Sequence, residues 1–244
     1  MTSTSSRFLV LHALRVKGLA SDELVATLSG LPSQEVGRVL ADLGGNGLVV
    51  RREGRFAGSM LTADGRQAHL PLLAEDVAPP ATQAALDACY AGFLPLNGEF
   101  KRICGDWQVR QDTKEPNDHG DADYDRSVVG QLAEVHDRAV VILAPLADAL
   151  ARFGAYPARL AAARERIRGG DNGAFARPMA DSYHDIWMEL HQDLLLSLKR
   201  ERSAHDEALY RSLTHAAVLN RKSVPAPRVP VSWGAAAWNT NPFG

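Results

Sequence analysis

The chain has 244 residues, 45% of them hydrophobic, and a formal net charge of -2. This length is enough to bury a substantial core and to form two domains. The slight negative charge argues against a protein that coats nucleic acid, so any contact with DNA must come from a local patch. Two cysteines are too few for a disulfide framework, and no apolar run reaches the roughly 20 residues of a membrane span. The N-terminus has no signal-peptide pattern, so we expect a cytoplasmic protein.

Three short helical patterns occupy the first 45 residues. A first helix is predicted from the spacing of its apolar residues, and Gly18 ends it. Ser21 is predicted to cap a second helix and Ser33 a third. The third helix has an apolar core side and an outer side that is the candidate recognition surface. That outer side comprises Gln34, Gly37, Arg38 and Ala41.

A basic hairpin is predicted after the third helix, where residues 48–61 fit two short strands around a tight turn. A helix followed at once by a basic hairpin suits DNA, because the helix can enter the major groove while arginines reach phosphates or the minor groove. The candidate DNA-binding residues are therefore Ser33, Gln34, Gly37, Arg38, Arg51, Arg52 and Arg55.

The stretch 7–76 resembles the DNA-binding domain of MarR-type bacterial regulators. The resemblance includes residues 47–49 before the hairpin and 61–66 after it, where Thr62 would cap the next helix. It implies a winged helix-turn-helix over residues 1–78, with double-stranded DNA as the partner. It covers less than a third of the chain and says little about what controls binding.

The predicted winged helix is only slightly basic. Residues 1–70 contain eight Arg or Lys and six Asp or Glu. A single copy should therefore bind DNA weakly and in a salt-sensitive manner. Dimerisation would double the charge, so a homodimer is expected, with two recognition helices in successive major grooves about 34 Å apart.

The remainder of the chain has helical patterns after the proline pair Pro79–Pro80. Pro145 is expected to kink or divide the longest helix near Leu143, and Asp123 to cap it. The fold class is thus mainly α, with an all-α effector-binding and dimerisation bundle over residues 81–220 and a flexible tail over 221–244. The predicted helices cover residues 81–94, 97–109, 124–153, 157–167, 182–199 and 204–219.

Aromatic and histidine side chains on these helices predict a pocket for a small-molecule effector. Core packing is the plainer interpretation, since aromatic residues at helical spacing usually pack. The nominated effector-binding residues are Tyr90, Trp107, His119, Tyr183, His184, Trp187 and His191.

A metal site is not predicted. His184 and His191 would lie about 10 Å apart along one helix and would need a ligand from another helix, for which His136 is a candidate. Histidines satisfied by neighbouring carboxylates are the favoured interpretation. Some GntR-type regulators bind a metal in their helical domain through an aspartate and several histidines. A match would require an acidic residue four positions before His136, and this chain has Leu132 there. The acidic loop 115–125 does not fit the calcium-binding EF-hand pattern. An alternative hypothesis for this loop is that Asp118 and His119 project into the same cavity as His184.

Residues 93–97, 106–108 and 183–195 are similar to part of an actinobacterial regulator-like group found with phosphoenolpyruvate-utilising proteins. This implies a sensory or adaptor domain and no catalytic residue. The chain has no phosphate-binding loop and no nucleophile elbow, so neither a cofactor nor an enzymatic activity is predicted.

The sequence therefore predicts a DNA-binding transcriptional regulator, most simply a repressor, that forms a homodimer. An interaction adaptor whose winged helix does not bind DNA is the main alternative. A metal-dependent helical enzyme is a third.

Overall fold

A computed structural model of the chain describes residues 5–54 and 57–201. Within these residues the protein has nine α-helices, one 3-10 turn and a three-stranded antiparallel sheet. The mainly helical class with a small sheet is therefore confirmed. Arg55, the helix predicted over 204–219 and the tail 221–244 lie outside the described residues.

The N-terminal region contains four helices and all three strands. Ser21 caps α2 through its hydroxyl, and Thr62 caps α4 in the same way, as predicted. Gly18 ends α1, also as predicted. The elements are α1 (Ser6–Lys17), β1 (Leu19–Ala20), α2 (Asp22–Ser29), α3 (Ser33–Gly45), β2 (Val49–Arg52), β3 (Gly58–Leu61) and α4 (Ala63–Asp76).

The predicted hairpin forms, and a strand that was not predicted joins it. β3 lies between β1 and β2 and pairs antiparallel with both, with Leu19 opposite Met60. A Cβ at Gly58 would lie 2.6 Å from the carbonyl oxygen of Ala20, so the close approach of β1 requires glycine there. β1 could not be predicted from the sequence, because a strand of two residues is too short to show an alternating pattern.

Helices make up the rest of the described chain. They are α5 (Pro80–Gln108), α6 (Ala122–Ala149), α7 (Ala155–Arg168), α8 (Gly173–Ala176) and α9 (Tyr183–Ser197), with the 3-10 turn Ala151–Gly154 after α6. None of the helices in the described ranges is long and apolar enough to cross a membrane.

Two predictions about these helices were wrong. The segments expected at 81–94 and 97–109 form one helix with Pro95 inside it. Pro145 was expected to kink or divide α6, and the helix is not divided there. In both helices, buried side chains on either side of the proline hold the axis against a common core, which offsets the lost backbone hydrogen bond. Asp121, and not Asp123, caps α6 by accepting from two backbone amides of its first turn.

The described residues form two hydrophobic cores, and the N-terminal helices contribute to both. One core joins α1, α2 and α3 to the sheet around residues such as Leu11 and Val36. The other fills the space between the later helices and also takes in Phe8 of α1 and Leu73 of α4. The N-terminal region is therefore packed onto the helical region through apolar contacts.

Candidate nucleic-acid interface

The third helix separates a buried side from an exposed side as predicted. Its buried residues are Val36, Val39, Leu40 and Leu43. On the outer side Ser33, Gln34 and Arg38 are exposed and Gly37 is half-buried. Ser33 was predicted to cap this helix, which is wrong. Pro32 occupies the cap position without a side-chain hydrogen bond, so the Ser33 side chain is not used for capping.

Gly37 makes the outer side of α3 flat at its centre. A Cβ built at this position would meet no atom within 4 Å. Glycine is therefore not needed here for folding, although it costs about 0.5–1 kcal/mol relative to alanine in a helix. A helix surface without a side chain lets another molecule approach the backbone closely.

The two arginines of β2 are exposed but differ in their partners. Arg51 donates to both carboxylate oxygens of Asp22, the first residue of α2, so its charge is partly neutralised. Among the residues with described positions, neither Arg52 nor Arg38 takes part in an ion pair. The charges best placed to meet a phosphate are therefore those of Arg38 and Arg52. Arg55, the third predicted arginine, lies outside the described residues.

Acidic groups near α3 are held by the first helix. Arg7 bonds to Asp42 at 3.2 Å, and the Ser6 hydroxyl donates to Glu35. These contacts tie α1 to both ends of α3, and Arg7 partly neutralises the Asp42 charge.

A buried polar cluster connects this N-terminal region to the helical region. His12 of α1 lies with its Nε2 2.9 Å from Asp193 Oδ1 of α9 and with its Nδ1 2.9 Å from His69 Nε2 of α4. His12 Nε2 also lies 3.0 Å from Arg152 Nη1, which itself bonds to Asp193 Oδ1. In the tautomer in which His12 Nε2 donates to Asp193, Nδ1 of the neutral ring accepts from His69 Nε2. His69 Nδ1 is left buried with no hydrogen-bond partner in the described part of the chain.

Arg152 holds the acidic side of this cluster. Its guanidinium donates to Asp193, to Asp76 Oδ2 at 3.0 Å and to the Ser197 hydroxyl at 2.7 Å. Tyr156 donates to the other oxygen of Asp193 at 3.0 Å. One carboxylate therefore receives bonds from α1, from the 3-10 turn and from α7.

The pKa values in the cluster follow from burial and charge. Burial lowers the pKa of His69 to about 3, and its neighbours His12, Arg15 and Arg152 push in the same direction. Burial also lowers the pKa of His12, which Asp193 opposes. Burial disfavours ionisation of Asp193, but Arg152 and His12 outweigh it and place its pKa below the ordinary value. Both histidines are therefore neutral, and Asp193 is charged, at neutral pH.

A second buried ion pair lies beside the first. Arg159 of α7 donates to Glu189 of α9 at 2.7 Å and to Asp181, and Lys17 of α1 also bonds to Glu189. The end of α1 is thus fixed to α9 a second time, about one turn from Asp193.

A small recess lies between α1, α2, α7 and α9 at this junction. The volume in which the centre of a water molecule fits is about 20 Å³, so the recess has room for one or two waters. An effector could bind here only if α1 moved away from α9. Its lining includes Leu9, His12, Val16, Leu28, Tyr156 and Arg159.

The nominated effector residues of α9 lie in the aromatic core. Trp187 is fully buried, stacks on Phe93 at 5.0 Å between ring centroids and donates from Nε1 to Asn97 Oδ1 at 3.0 Å. Tyr183 is equally buried, with its hydroxyl 3.3 Å from His136 Nδ1. His184 and His191 face Phe100 and Phe93. None of these four residues lines the junction recess.

The other nominated residues lie in separate places. Trp107 stacks on Phe175 at 4.4 Å, and His119 bonds to Asp125 at 2.9 Å with its ring against Trp107. Tyr90 lies under the guanidinium of Arg200. The seven residues are therefore divided between these places and the aromatic core.

The arrangement of metal-ligating side chains and of the two cysteines is given by the described ranges. No group of three or more His, Cys, Asp or Glu there has a metal-binding arrangement. Cys89 and Cys104 are buried, and burial raises the pKa of Cys89 to about 12, which suppresses the reactive thiolate.

The junction cluster was missed by sequence reasoning, although it left a signal. His12 and Asp193 are polar residues on helix faces that otherwise bury apolar side chains. Buried polar groups need partners, so such residues indicate a contact across the fold. Nothing in their spacing identifies the partner, because 181 positions separate them.

Comparison of the chain with models of protein families, with curated proteins and with solved structures gives no match.

Proposed function

We propose that this protein is a DNA-binding transcriptional regulator in which α1 to α4 and the sheet act as a winged helix-turn-helix. The observation that carries this proposal is the exposed outer side of α3 together with the exposed arginines of β2, which packs against α3. In this arrangement α3 enters the major groove and the β2–β3 hairpin contacts the backbone beside it.

The residue types on α3 suit direct readout of base edges. Gln34 is able to pair with adenine and Arg38 with guanine, each through two hydrogen bonds. Ser33 at the helix N-terminus supplies a hydroxyl for a phosphate or base, and Gly37 lets the helix backbone approach the groove floor. Arg52 positions the hairpin on a phosphate.

Two copies are needed for useful affinity, because the N-terminal region has only a small positive charge. We propose a homodimer that binds an inverted repeat with half-sites about 34 Å apart and represses by occupying its operator. The buried junction holds α3 in a fixed orientation relative to the helical region. An effector that favours another packing of α1 against α9 would change the spacing of the two recognition helices.

Binding to the DNA upstream of the protein's own gene tests this proposal. We expect the protein to retard this DNA in gel shifts at low salt. The logarithm of the association constant should fall linearly as the logarithm of the salt concentration rises. Arg38→Ala should weaken binding by more than tenfold, and Arg51→Ala by less, because Arg51 already bonds to Asp22. Arg168→Ala on α7 is the matched control, since Arg168 is exposed but lies on the helical region. Absence of retention at low salt, or equal effects of all three variants, would contradict the proposal.

Exposed apolar residues favour a second candidate function, that of a protein-interaction adaptor. Val50 on β2 is 45% exposed and Leu70 on α4 is 50% exposed. Such side chains suit a protein partner better than a phosphate backbone. The adaptor function is favoured if Val50→Ser and Leu70→Ser abolish the protein's function in cells while Arg38→Ala and Arg51→Ala leave that function intact.

A further inference from the structure

One side chain that lines the junction recess has a hydrogen-bond donor without a partner in the described chain. Arg159 of α7 is only 7% exposed, and its Nε is buried and makes no hydrogen bond to any described residue. The two terminal nitrogens of the same guanidinium donate to Glu189 and Asp181. A buried N–H group that stays unpaired costs free energy, so an acceptor supplied by a bound molecule would be stabilised there.

A hydrogen-bond acceptor lies on the same face of α7. Tyr156 also lines the recess and precedes Arg159 by three residues, so the two side chains are neighbours on the helix. The Tyr156 hydroxyl donates to Asp193 Oδ2 at 3.0 Å. Burial and the Asp193 charge raise the pKa of Tyr156, so the hydroxyl keeps this proton and its oxygen can still accept from a ligand. A ligand group that both accepts and donates a hydrogen bond therefore suits this pair of side chains.

The ionised groups around the recess already have partners of opposite charge. Arg152 and Arg159 each bond to two carboxylates, and Lys17 shares one of them. An anion would meet carboxylates there, and a cation would meet two guanidiniums. Burying a charge without a partner is costly, so the recess favours an uncharged ligand. The four carboxylates are those of Asp76, Asp181, Glu189 and Asp193.

The other residues of the lining are apolar, and the recess is small. With about 20 Å³ open to the centre of a water molecule, a compound of roughly two to four non-hydrogen atoms fits between the helices. Only a larger effector requires α1 to move away from α9. A short alkyl group gains affinity by displacing water from the apolar side. That side comprises Leu9, Ala13 and Val16 of α1, Leu28 of α2 and Ala155 of α7.

We propose that the junction recess is a binding site for small uncharged alcohols. The ligand hydroxyl accepts from Arg159 Nε and donates to the Tyr156 oxygen, and the alkyl group lies against the apolar residues of α1 and α2. A bound alcohol contacts α1 and α7 together and therefore helps to hold the N-terminal region on the helical region. The site is independent of the proposed DNA-binding function.

Titration of the full-length protein with n-propanol, followed through the Arg159 Nε–H signal in nitrogen–hydrogen correlation NMR spectra, tests the proposal. Loss of the signal in Arg159→Lys identifies it. We expect a saturable shift with a Kd between about 0.1 and 10 mM, the range open to a ligand of this size. Propionate and n-propylammonium are the charged controls and should bind about tenfold or more weakly than n-propanol.

Ala155→Val tests where in the protein the ligand lies. The larger side chain fills part of the recess without removing a hydrogen-bonding group, and it should raise the Kd for n-propanol by about tenfold or more. Ala162→Val, at an exposed position of the same helix, is the matched control and should leave the Kd unchanged. Circular dichroism checks that both variants keep their helical content.

The proposal is overturned by any one of three results. Absence of a saturable shift up to about 100 mM n-propanol would leave Arg159 Nε to water only. Propionate that binds as tightly as n-propanol would show that the recess accepts a charge. An unchanged Kd in a folded Ala155→Val variant would place the alcohol elsewhere on the protein. None of these measurements depends on whether the protein binds DNA.

Discussion

His12 Nε2 and Asp193 Oδ1 lie 2.9 Å apart and join the first helix of the protein to the last described one. Both side chains are almost fully buried, and Arg152 bonds to the same carboxylate oxygen. Removing one partner from a buried charge is strongly destabilising, so this contact makes the Asp193 carboxylate one of the groups that hold the N-terminal region in place.

Asp193→Asn should lower the free energy of unfolding by about 3–5 kcal/mol, since Arg152 would lose a buried counter-charge while the side-chain volume stays the same. Unfolding in urea, followed by circular dichroism, measures this. Glu99→Gln is the control, because the Glu99–Arg138 pair is exposed and its loss should be small. A loss for Asp193→Asn no larger than that of the control would show that the cluster does not stabilise the junction.

Stability should fall as the pH is lowered from about 6.5 towards 3. The pKa of His69 is lowered from 6.5 to about 3 in the fold, so in this range the unfolded chain binds a proton that the folded one does not. Stability is then fully present above pH 6.5 and is lost by about 1.4 kcal/mol per pH unit for this group as the pH falls. The lowered pKa values of His12 and Asp193 act in the same direction.

His69→Gln isolates the contribution of His69. Urea unfolding at several pH values should give a shallower pH dependence for this variant than for the unaltered protein, whatever its stability at pH 7. Parallel curves for the two proteins would mean that folding does not lower the pKa of His69.

Gly65→Ala should destabilise the N-terminal region severely, by more than about 2 kcal/mol. A Cβ at Gly65 would lie 2.0 Å from the Leu48 carbonyl oxygen, and that backbone cannot move without disturbing β2. Gly130→Ala on α6 is the matched control. It meets nothing within 4 Å and should stabilise the protein by about 0.5–1 kcal/mol. Thermal unfolding of both variants shows whether each change raises or lowers the stability, and equal shifts would refute the close approach of Gly65 to Leu48.

Gly37→Ala should separate stability from DNA binding. The added methyl group meets no atom of the protein, so the free energy of unfolding should rise by about 0.5–1 kcal/mol. If α3 lies in the major groove with its backbone close to the bases, the same methyl group should weaken DNA binding. Fluorescence anisotropy with an operator fragment measures the affinity, and an unchanged affinity for both Gly37→Ala and Gly37→Leu would remove α3 from the interface.

Local elements of the N-terminal region could be predicted from the sequence because their signals are local. The caps Ser21 and Thr62 depend on neighbouring residues only, and the hairpin strands follow from the alternation around a turn. The α3 cap at Ser33 was wrong because Pro32 already satisfies the geometry of the helix start. The continuity of α5 through Pro95 could not be predicted, since buried contacts on both sides of the proline decide it.

The sequence by itself determined which residues are apolar at which period, and thereby the mainly helical class, the helix faces and the small basic hairpin. Only the tertiary structure decided that Trp187 and Tyr183 are core residues and that His12, His69, Arg152 and Asp193 meet. The physical reason is the distance along the chain over which each interaction acts. Helix periodicity and capping act over a few residues, whereas burial of a charge depends on partners that the fold brings from positions as far apart as 12 and 193.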